Sequence, residues 1–213
     1  YVYKVDPAQN VGSSYIASLG SIATGHSDPD SNAVSAIFST TDTTCAIGAE
    51  RPIVGTIGAR TDSSNRLALF FGTGGVESFD PSLNNAFYAV YADNGEIRGC
   101  ADGTPEKGRV EGVCTAGVCE KFYGGVVVTA SDVIVTRATD APVGTGICEF
   151  GTSEVTGFSI AEFDTNFSVA TNSATVSSLY GDGGAIYFAT LAGDIVKIGD
   201  ARAENAGDDT ANG

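Results

Sequence analysis

Hydrophobic and polar residues alternate along this chain in short bursts, which are separated by glycine, aspartate, asparagine and serine. Alternation with a period of two is typical of β-strands, and no stretch keeps a period of 3.6 over three helical turns. The pattern therefore predicts an all-β chain in which helix is at most a minor component.

Three of the bursts resemble one another, and each follows a polar turn: residues 67–74, 133–139 and 185–191. Strand candidates precede them at 52–58, 125–130 and 175–180, and further candidates follow them at 86–93, 155–161 and 194–199. This unit of strand, turn, strand, insert and strand recurs about every 50 to 70 residues, close to the spacing of four-stranded propeller blades with insertions.

The sequence thus predicts a β-propeller segment over residues 1–200, partial or small, with roughly three to four blades visible. The opening YVYKVD is typical of a strand inside a blade, so we expect the other blades in a longer precursor or another chain. Long inserts lie at 13–50, 94–121 and 140–154, and we expect the first two to be presented to a partner as binding surfaces. The polar tail 201–213 is predicted to be flexible.

Acidic residues outnumber basic ones by 26 to 11, which gives the 213-residue chain a formal charge of -15. Such a surface repels phosphate backbones and anionic lipid headgroups, so nucleic acid is not expected as a partner. The chain also contains no apolar run of about 18 residues, and membrane insertion is therefore not expected.

The cysteines indicate disulfide bonds. Cys114 and Cys119 flank a short glycine-containing loop, and we expect them to pair. A zinc site would need four ligands, and the chain has five cysteines and a single histidine distant from them. The pairing of Cys45, Cys100 and Cys148 stays open, because an odd number of cysteines leaves one of them over. Disulfides imply an oxidising compartment outside the cytoplasm.

The sequence gives little indication of catalytic residues. His26 is the only histidine, and it lies in a polar loop without a Gly-x-Ser-x-Gly elbow elsewhere in the chain. The run GTGG at 72–75 lacks the lysine of a phosphate-binding loop and favours a tight turn with positive φ. We therefore predict that the chain is not an enzyme and has no catalytic residues or organic cofactor.

Several motifs resemble the PilY/PilC-type proteins of type IV pilus tips, whose C-terminal region is a β-propeller. Residues 51–54 (RPIV), 69–74 (LFFGTG) and 85–90 (NAFYAV) follow the order of the family's hallmark. Residues 123–128 and 133–136 before Cys148 are similar to its next strand pair, and IYFAT at 186–190 resembles its closing blade.

The resemblance implies a non-enzymatic adhesin or assembly protein at the pilus or outer cell surface. Its implied partners are pilins or minor pilins and a host or surface receptor. The strand at the start of the chain adds other fragments of the same precursor as expected partners. The family's calcium loop is not intact here. Asp28, Asp30 and Asn32 alternate as the start of a calcium cage would, but Ala33 replaces the turn glycine and Ala36 the last carboxylate, which favours a solvated acidic turn.

A β-propeller fold would also allow two alternative functions. A quinone-dependent dehydrogenase would place a cofactor at the centre of the blades, although such enzymes carry tryptophan docking motifs and this chain has no tryptophan. A calcium-stabilised, polysaccharide-binding propeller is the other alternative, and a metal titration followed by thermal unfolding would test it.

Overall fold

The structure is a computed structural model of the 213-residue chain. It describes residues 2–5, 34–38, 45, 53, 55–62, 64–74, 82–104, 107–139, 153–171, 179–182, 185–190 and 193–199. These residues form strands and turns without an α-helix, and so no helix among them could cross a membrane.

Fifteen strands make up five antiparallel sheets in the described part of the chain. A ribbon pairs β1 (Val2–Val5) with β2 (Val34–Phe38). The first sheet contains β3 (Gly58–Thr61), β4 (Leu67–Gly72), β5 (Ala86–Tyr91) and β6 (Arg109–Glu111). A hairpin of β7 (Cys114–Thr115) and β8 (Val118–Cys119) follows. The second sheet contains β9 (Lys121–Val128), β10 (Asp132–Ala138), β11 (Ser153–Ser159) and β12 (Thr165–Thr171). The third sheet contains β13 (Tyr180–Asp182), β14 (Ala185–Ala189) and β15 (Ile195–Ile198).

The three larger sheets are meanders, in which each strand pairs with the next strand along the chain. The all-β prediction is confirmed. A closed propeller is not shown among the described residues, since only these three sheets have more than two strands. The predicted insert at 13–50 is wrong as a simple loop, because it contains strand β2.

The first and second sheets pack face to face through an aromatic cluster. Phe70 and Phe87 project from the first sheet, whereas Phe122 and Phe158 project from the second, and all four are buried. Phe163, in the turn after β11, completes the cluster and lies 5.5 Å from Phe87 between ring centroids. Burial of several large rings at one interface is a major source of hydrophobic stabilisation.

The second sheet is covered on both faces. Alternate residues such as Ile134 and Val155 point away from the first sheet and pack against Ile186 and Phe188 of the third. A strand covered on both sides needs apolar residues at successive positions. This requirement explains why the central strands are continuous apolar runs, such as VIV at 133–135.

The first strands of the three sheets lie next to one another, since β3 contacts β9 and β9 contacts β13. The approach of β3 to β9 depends on Gly58. A Cβ atom at that position would lie 2.6 Å from Val128 Cγ2 and 2.9 Å from Val126 Cγ1. Glycine therefore allows the two strands to come close where a side chain would hold them apart.

Candidate functional site

A polar cleft of about 600 Å³ opens between the ends of the first and second sheets. Successive connections of a meander alternate between its two ends, so the turns after its first and third strands share one end. Residues from all four such connections line the cleft. Its charged and aromatic lining residues are Arg60, Asp62, Tyr91, Arg98, Asp102 and Lys107.

Asp62 organises the turn between β3 and β4. Its Oδ1 accepts hydrogen bonds from the backbone N–H groups of Ser64 at 2.8 Å and Arg66 at 3.1 Å. Its Oδ2 accepts a hydrogen bond of 3.0 Å from the hydroxyl of Tyr91. An aspartate that caps its own turn in this way fixes the backbone, and here it also fixes the tyrosine at the cleft wall.

The guanidinium of Arg66 lies over the ring of Tyr91, 3.5 Å from its centroid. Arg66 is held in turn by Asp93, to which it donates hydrogen bonds of 3.0 Å and 2.7 Å. Cation–π stacking and the bond to Asp62 therefore restrain Tyr91 from two directions.

Arg98 is the most deeply placed charge of the cleft, with only 7% of its surface exposed. Its guanidinium donates hydrogen bonds to three backbone carbonyl oxygens. The acceptor in Lys107 lies at 2.7 Å and the one in Ala161 at 3.4 Å, and the third acceptor belongs to Ile160. The last two acceptors belong to the turn after β11, so Arg98 joins the two sheets at the floor of the cleft.

Arg60 and Lys107 supply two further positive charges. Arg60 donates to the carbonyl oxygen of Thr129, at the end of β9. Lys107 Nζ lies 2.9 Å from a carboxylate oxygen of Glu162, an ion pair between largely exposed side chains. Both bonds cross from the first sheet or its insert to the second, so polar contacts bridge the sheets around the opening.

The pKa values of the cleft follow from burial and these bonds. Burial lowers the pKa of Arg98, although Tyr91 and Asp62 oppose this effect, and an arginine remains charged at neutral pH. Burial and the bond to Asp62 raise the pKa of Tyr91. Burial would raise the pKa of Asp62, but the hydrogen bonds from Arg66, Tyr91 and Ser64 outweigh it and lower that pKa overall.

A disulfide between Cys45 and Cys100 fixes the insert of residues 92–108, which carries Arg98, Asp102 and Lys107. The two cysteines are 55 positions apart, and we call their bond the long disulfide. Arg109 strengthens the same attachment by donating a hydrogen bond to the carbonyl oxygen of Cys45. The sequence left the partner of Cys45 open, and Cys148 lies outside the described residues. The long disulfide thus joins the first two predicted binding inserts covalently.

The short disulfide joins Cys114 to Cys119 across the hairpin, which is the pair that their spacing indicates. Beside it, Glu120 forms an ion pair of 2.6 Å with Arg137 of the second sheet. The hairpin lies near Asn85, at the start of β5, whereas the insert at 92–108 follows the end of that strand. The predicted insert 94–121 is therefore divided between opposite ends of the first sheet.

The remaining residues that the sequence singled out are not among those that the structure describes. His26 and the calcium candidates Asp28, Asp30 and Asn32 lie outside the described residues, so the calcium site stays a prediction. Within the described residues, no group of three or more His, Cys, Asp or Glu side chains is arranged to hold a metal ion.

Sequence reasoning did not single out the cleft residues, because no local motif connects them. Arg60 and Arg98 are separated by 38 positions along the chain (98 minus 60) and meet only through the sheet topology. Asp62 carried a weak signal, since Asp-Ser-Ser-Asn is typical turn chemistry. That signal predicts the turn and not the cleft beside it.

A comparison of the chain with protein-family models and with curated proteins finds no match.

Proposed function

We propose that the three larger sheets are consecutive blades of a β-propeller. Two observations support this arrangement. The sheets stack face to face in chain order, and the first strand of each contacts the first strand of the next, as inner strands do around a propeller axis. Closed propellers have at least about four blades, so three sheets would form an arc of the circle.

We infer further that the chain is a non-enzymatic, extracellular binding component of a type IV pilus. The observation that carries this proposal is the long disulfide, which ties two inserts together at the end of the sheets where the cleft opens. Disulfides persist in oxidising compartments, and loops held on a rigid β scaffold are a common form of binding surface.

The resemblance to PilY/PilC-type proteins gives this scaffold its proposed setting. Its best motif comprises residues 51–54, 69–74 and 85–90, and the last two segments fall largely on β4 and β5, the central strands of the first sheet. The buried positions of this motif are consistent with the proposed architecture, because packing constrains the residues at a sheet centre. The proposed partners are pilins or minor pilins and a surface receptor.

Immunogold electron microscopy of cells that produce the protein tests the pilus proposal. An antibody raised to this chain should label fibres or fibre tips, and the label should disappear from a strain without type IV pilins. A strain without this protein is the matched control for antibody specificity. Label that stays in the periplasm whether or not pilins are present would refute the pilus association and favour a propeller enzyme.

A further inference from the structure

The floor of the polar cleft contains a buried charge, that of Arg98, with no salt bridge and no hydrogen bond to a carboxylate among the described residues. Arg98 is 93% buried (100 minus 7), yet all three of its hydrogen-bond acceptors there are backbone carbonyls. A guanidinium has five N–H donors, so these bonds leave two donors for another acceptor. Buried arginines are normally paired with a carboxylate or phosphate.

The lining of the cleft is richer in basic residues than the chain as a whole. Three cationic residues line it beside two anionic ones, whereas the whole chain has 11 basic and 26 acidic residues. Arg60, like Arg98, has no salt bridge among the described residues. The carboxylate of Asp62 already has hydrogen-bond donors on both oxygens, since one accepts from its own turn and the other from the hydroxyl of Tyr91. The cleft therefore offers two guanidinium groups to an anion.

The remaining lining indicates a ligand with many hydroxyl groups. Hydroxyl side chains also line the cleft, and they belong to Thr61, Ser64, Ser131 and Ser159. The lining contains one further carboxylate, that of the exposed Asp102. Large apolar side chains are nearly absent from this lining, with Ile160 the exception. A volume of about 600 Å³ lies within the range of small-molecule sites, about 300 to 1,000 Å³.

We propose that this cleft binds an acidic sugar, meaning a saccharide unit whose ring carries a carboxylate and several hydroxyls. The carboxylate is bound by Arg98 and Arg60, since a guanidinium matches a carboxylate in both charge and geometry. Asp102 and the serine hydroxyls bind the sugar hydroxyls. The unit is a uronic acid of a polysaccharide or a sialic acid of a glycan, which share this chemistry. The proposal goes beyond the pilus association and does not depend on it.

Binding is measured by isothermal titration calorimetry of the 213-residue chain at low salt. The probes are a galacturonate trisaccharide, N-acetylneuraminate and a galactose trisaccharide, and the last differs from the first only in lacking carboxylates. We expect one of the acidic probes to bind at least tenfold more tightly than the galactose trisaccharide, and the preferred one identifies the source. Equal affinity for the neutral probe, or no binding of either acidic probe, would overturn the proposal.

Arg60→Gln is the decisive variant, because Arg60 is only partly buried and its loss should leave the fold intact. We expect this change to weaken binding of the acidic probe about tenfold, the loss of one charge-assisted hydrogen bond. Lys197→Gln removes a positive charge from the third sheet, away from the cleft, and should leave binding unchanged. Circular dichroism melting shows that each variant is folded.

Two results would refute the assignment in different ways. Unchanged affinity in folded Arg60→Gln would show that the guanidinium does not contact the ligand. Equally tight binding of acetyl-glycylglycine, which has a carboxylate but no sugar ring, would show a peptide site in place of a sugar site. Neither result bears on the pilus association, which is tested on cells.

Discussion

Phe87 occupies the centre of the interface between the first two sheets. It is 0% exposed, and its ring centroid lies 5.5 Å from those of Phe158 and Phe163 and 6.0 Å from that of Phe122. Replacement of Phe87 by alanine would leave a cavity bounded by these three rings. Because Phe87 belongs to the first sheet and the three rings around it to the second, the cavity should weaken the contact between the sheets and not only one strand.

The magnitude follows from the buried area. A buried phenylalanine removes about 150 Å² or more from water, which at about 25 cal/mol per Å² corresponds to about 4 kcal/mol. Measured Phe→Ala substitutions in protein cores cost about 3 to 5 kcal/mol, in agreement with this value. Since domains of this size are stable by about 5 to 15 kcal/mol, we expect Phe87→Ala to be folded but much less stable.

Urea unfolding at neutral pH measures the effect. The chain has eight tyrosines and no tryptophan, so tyrosine fluorescence and far-ultraviolet circular dichroism are the suitable signals. Ile195→Ala is the control, because Ile195 is 83% exposed on β15 and its truncation should change the free energy of unfolding by less than about 0.5 kcal/mol. A loss below about 2 kcal/mol in Phe87→Ala, or one equal to the control, would refute the face-to-face packing of the sheets.

Three further predictions follow from the disulfides, an ion pair and the cleft. Replacement of both cysteines by serine should lower the free energy of unfolding by about 4 kcal/mol for the long disulfide and by about 2 kcal/mol for the short one. The difference arises because the paired cysteines are 55 and 5 positions apart. Equal shifts in urea midpoint would contradict this reasoning. A double-mutant cycle of Glu120→Gln and Arg137→Gln should give a coupling energy of about 1 to 2 kcal/mol, because the ion pair is largely buried. Additive effects of the two substitutions would show that the ion pair contributes little to stability. Asp62 has a lowered pKa in the folded state, so its stabilisation is present above its unfolded pKa of about 3.9 and is lost as pH falls. Asp62→Asn should therefore melt at a lower temperature at pH 7 and show a shallower loss between pH 6 and pH 3; an unchanged pH profile would argue against the turn described here.

The central strands could be predicted from sequence because both of their faces are buried. The burst predicted at 67–74 corresponds to β4, the one at 133–139 to β10 and the one at 185–191 to β14, each to within a few residues. The run GTGG at 72–75 has the predicted positive φ, since Gly74 has a φ of 86°. The predicted tight turn is not confirmed, because β4 ends at Gly72 and β5 begins only at Ala86. Buried strands and turns with positive φ leave strong local signals.

Two edge strands, β12 and β3, were missed or displaced because they lack such signals. Strand β12 (Thr165–Thr171) is largely exposed along its length, so nothing in TNFSVAT required apolar alternation. Strand β3 was predicted at 52–58 but spans Gly58–Thr61, a polar segment that is paired on one side only. Where burial does not select the residues, the pairing of a strand depends on its neighbours and not on its own sequence.

The cleft and the long disulfide could not be predicted, because both depend on contacts between distant parts of the chain. Cys45 had two possible partners by sequence, Cys100 and Cys148. It pairs with Cys100 because the insert after β5 packs, together with Cys45, against the face of the first sheet that carries Phe71 and Tyr88. Arg98 became notable only through its burial, which no local pattern revealed. Topology, and not composition, created the site.

The two-sided cover of the second sheet determines how cooperatively this protein unfolds. One hydrophobic cluster joins the first sheet to the second, and another joins the second sheet to the third. Neither of these clusters of described residues joins the first sheet to the third. Each sheet is then coupled only to its neighbour, as in a linear array of repeats. Local opening can begin in the third sheet and leave the aromatic cluster intact, whereas opening of the second sheet separates the other two. Amide hydrogens of β10 should therefore exchange most slowly, at a rate set by global unfolding, and those of β15 should exchange much earlier.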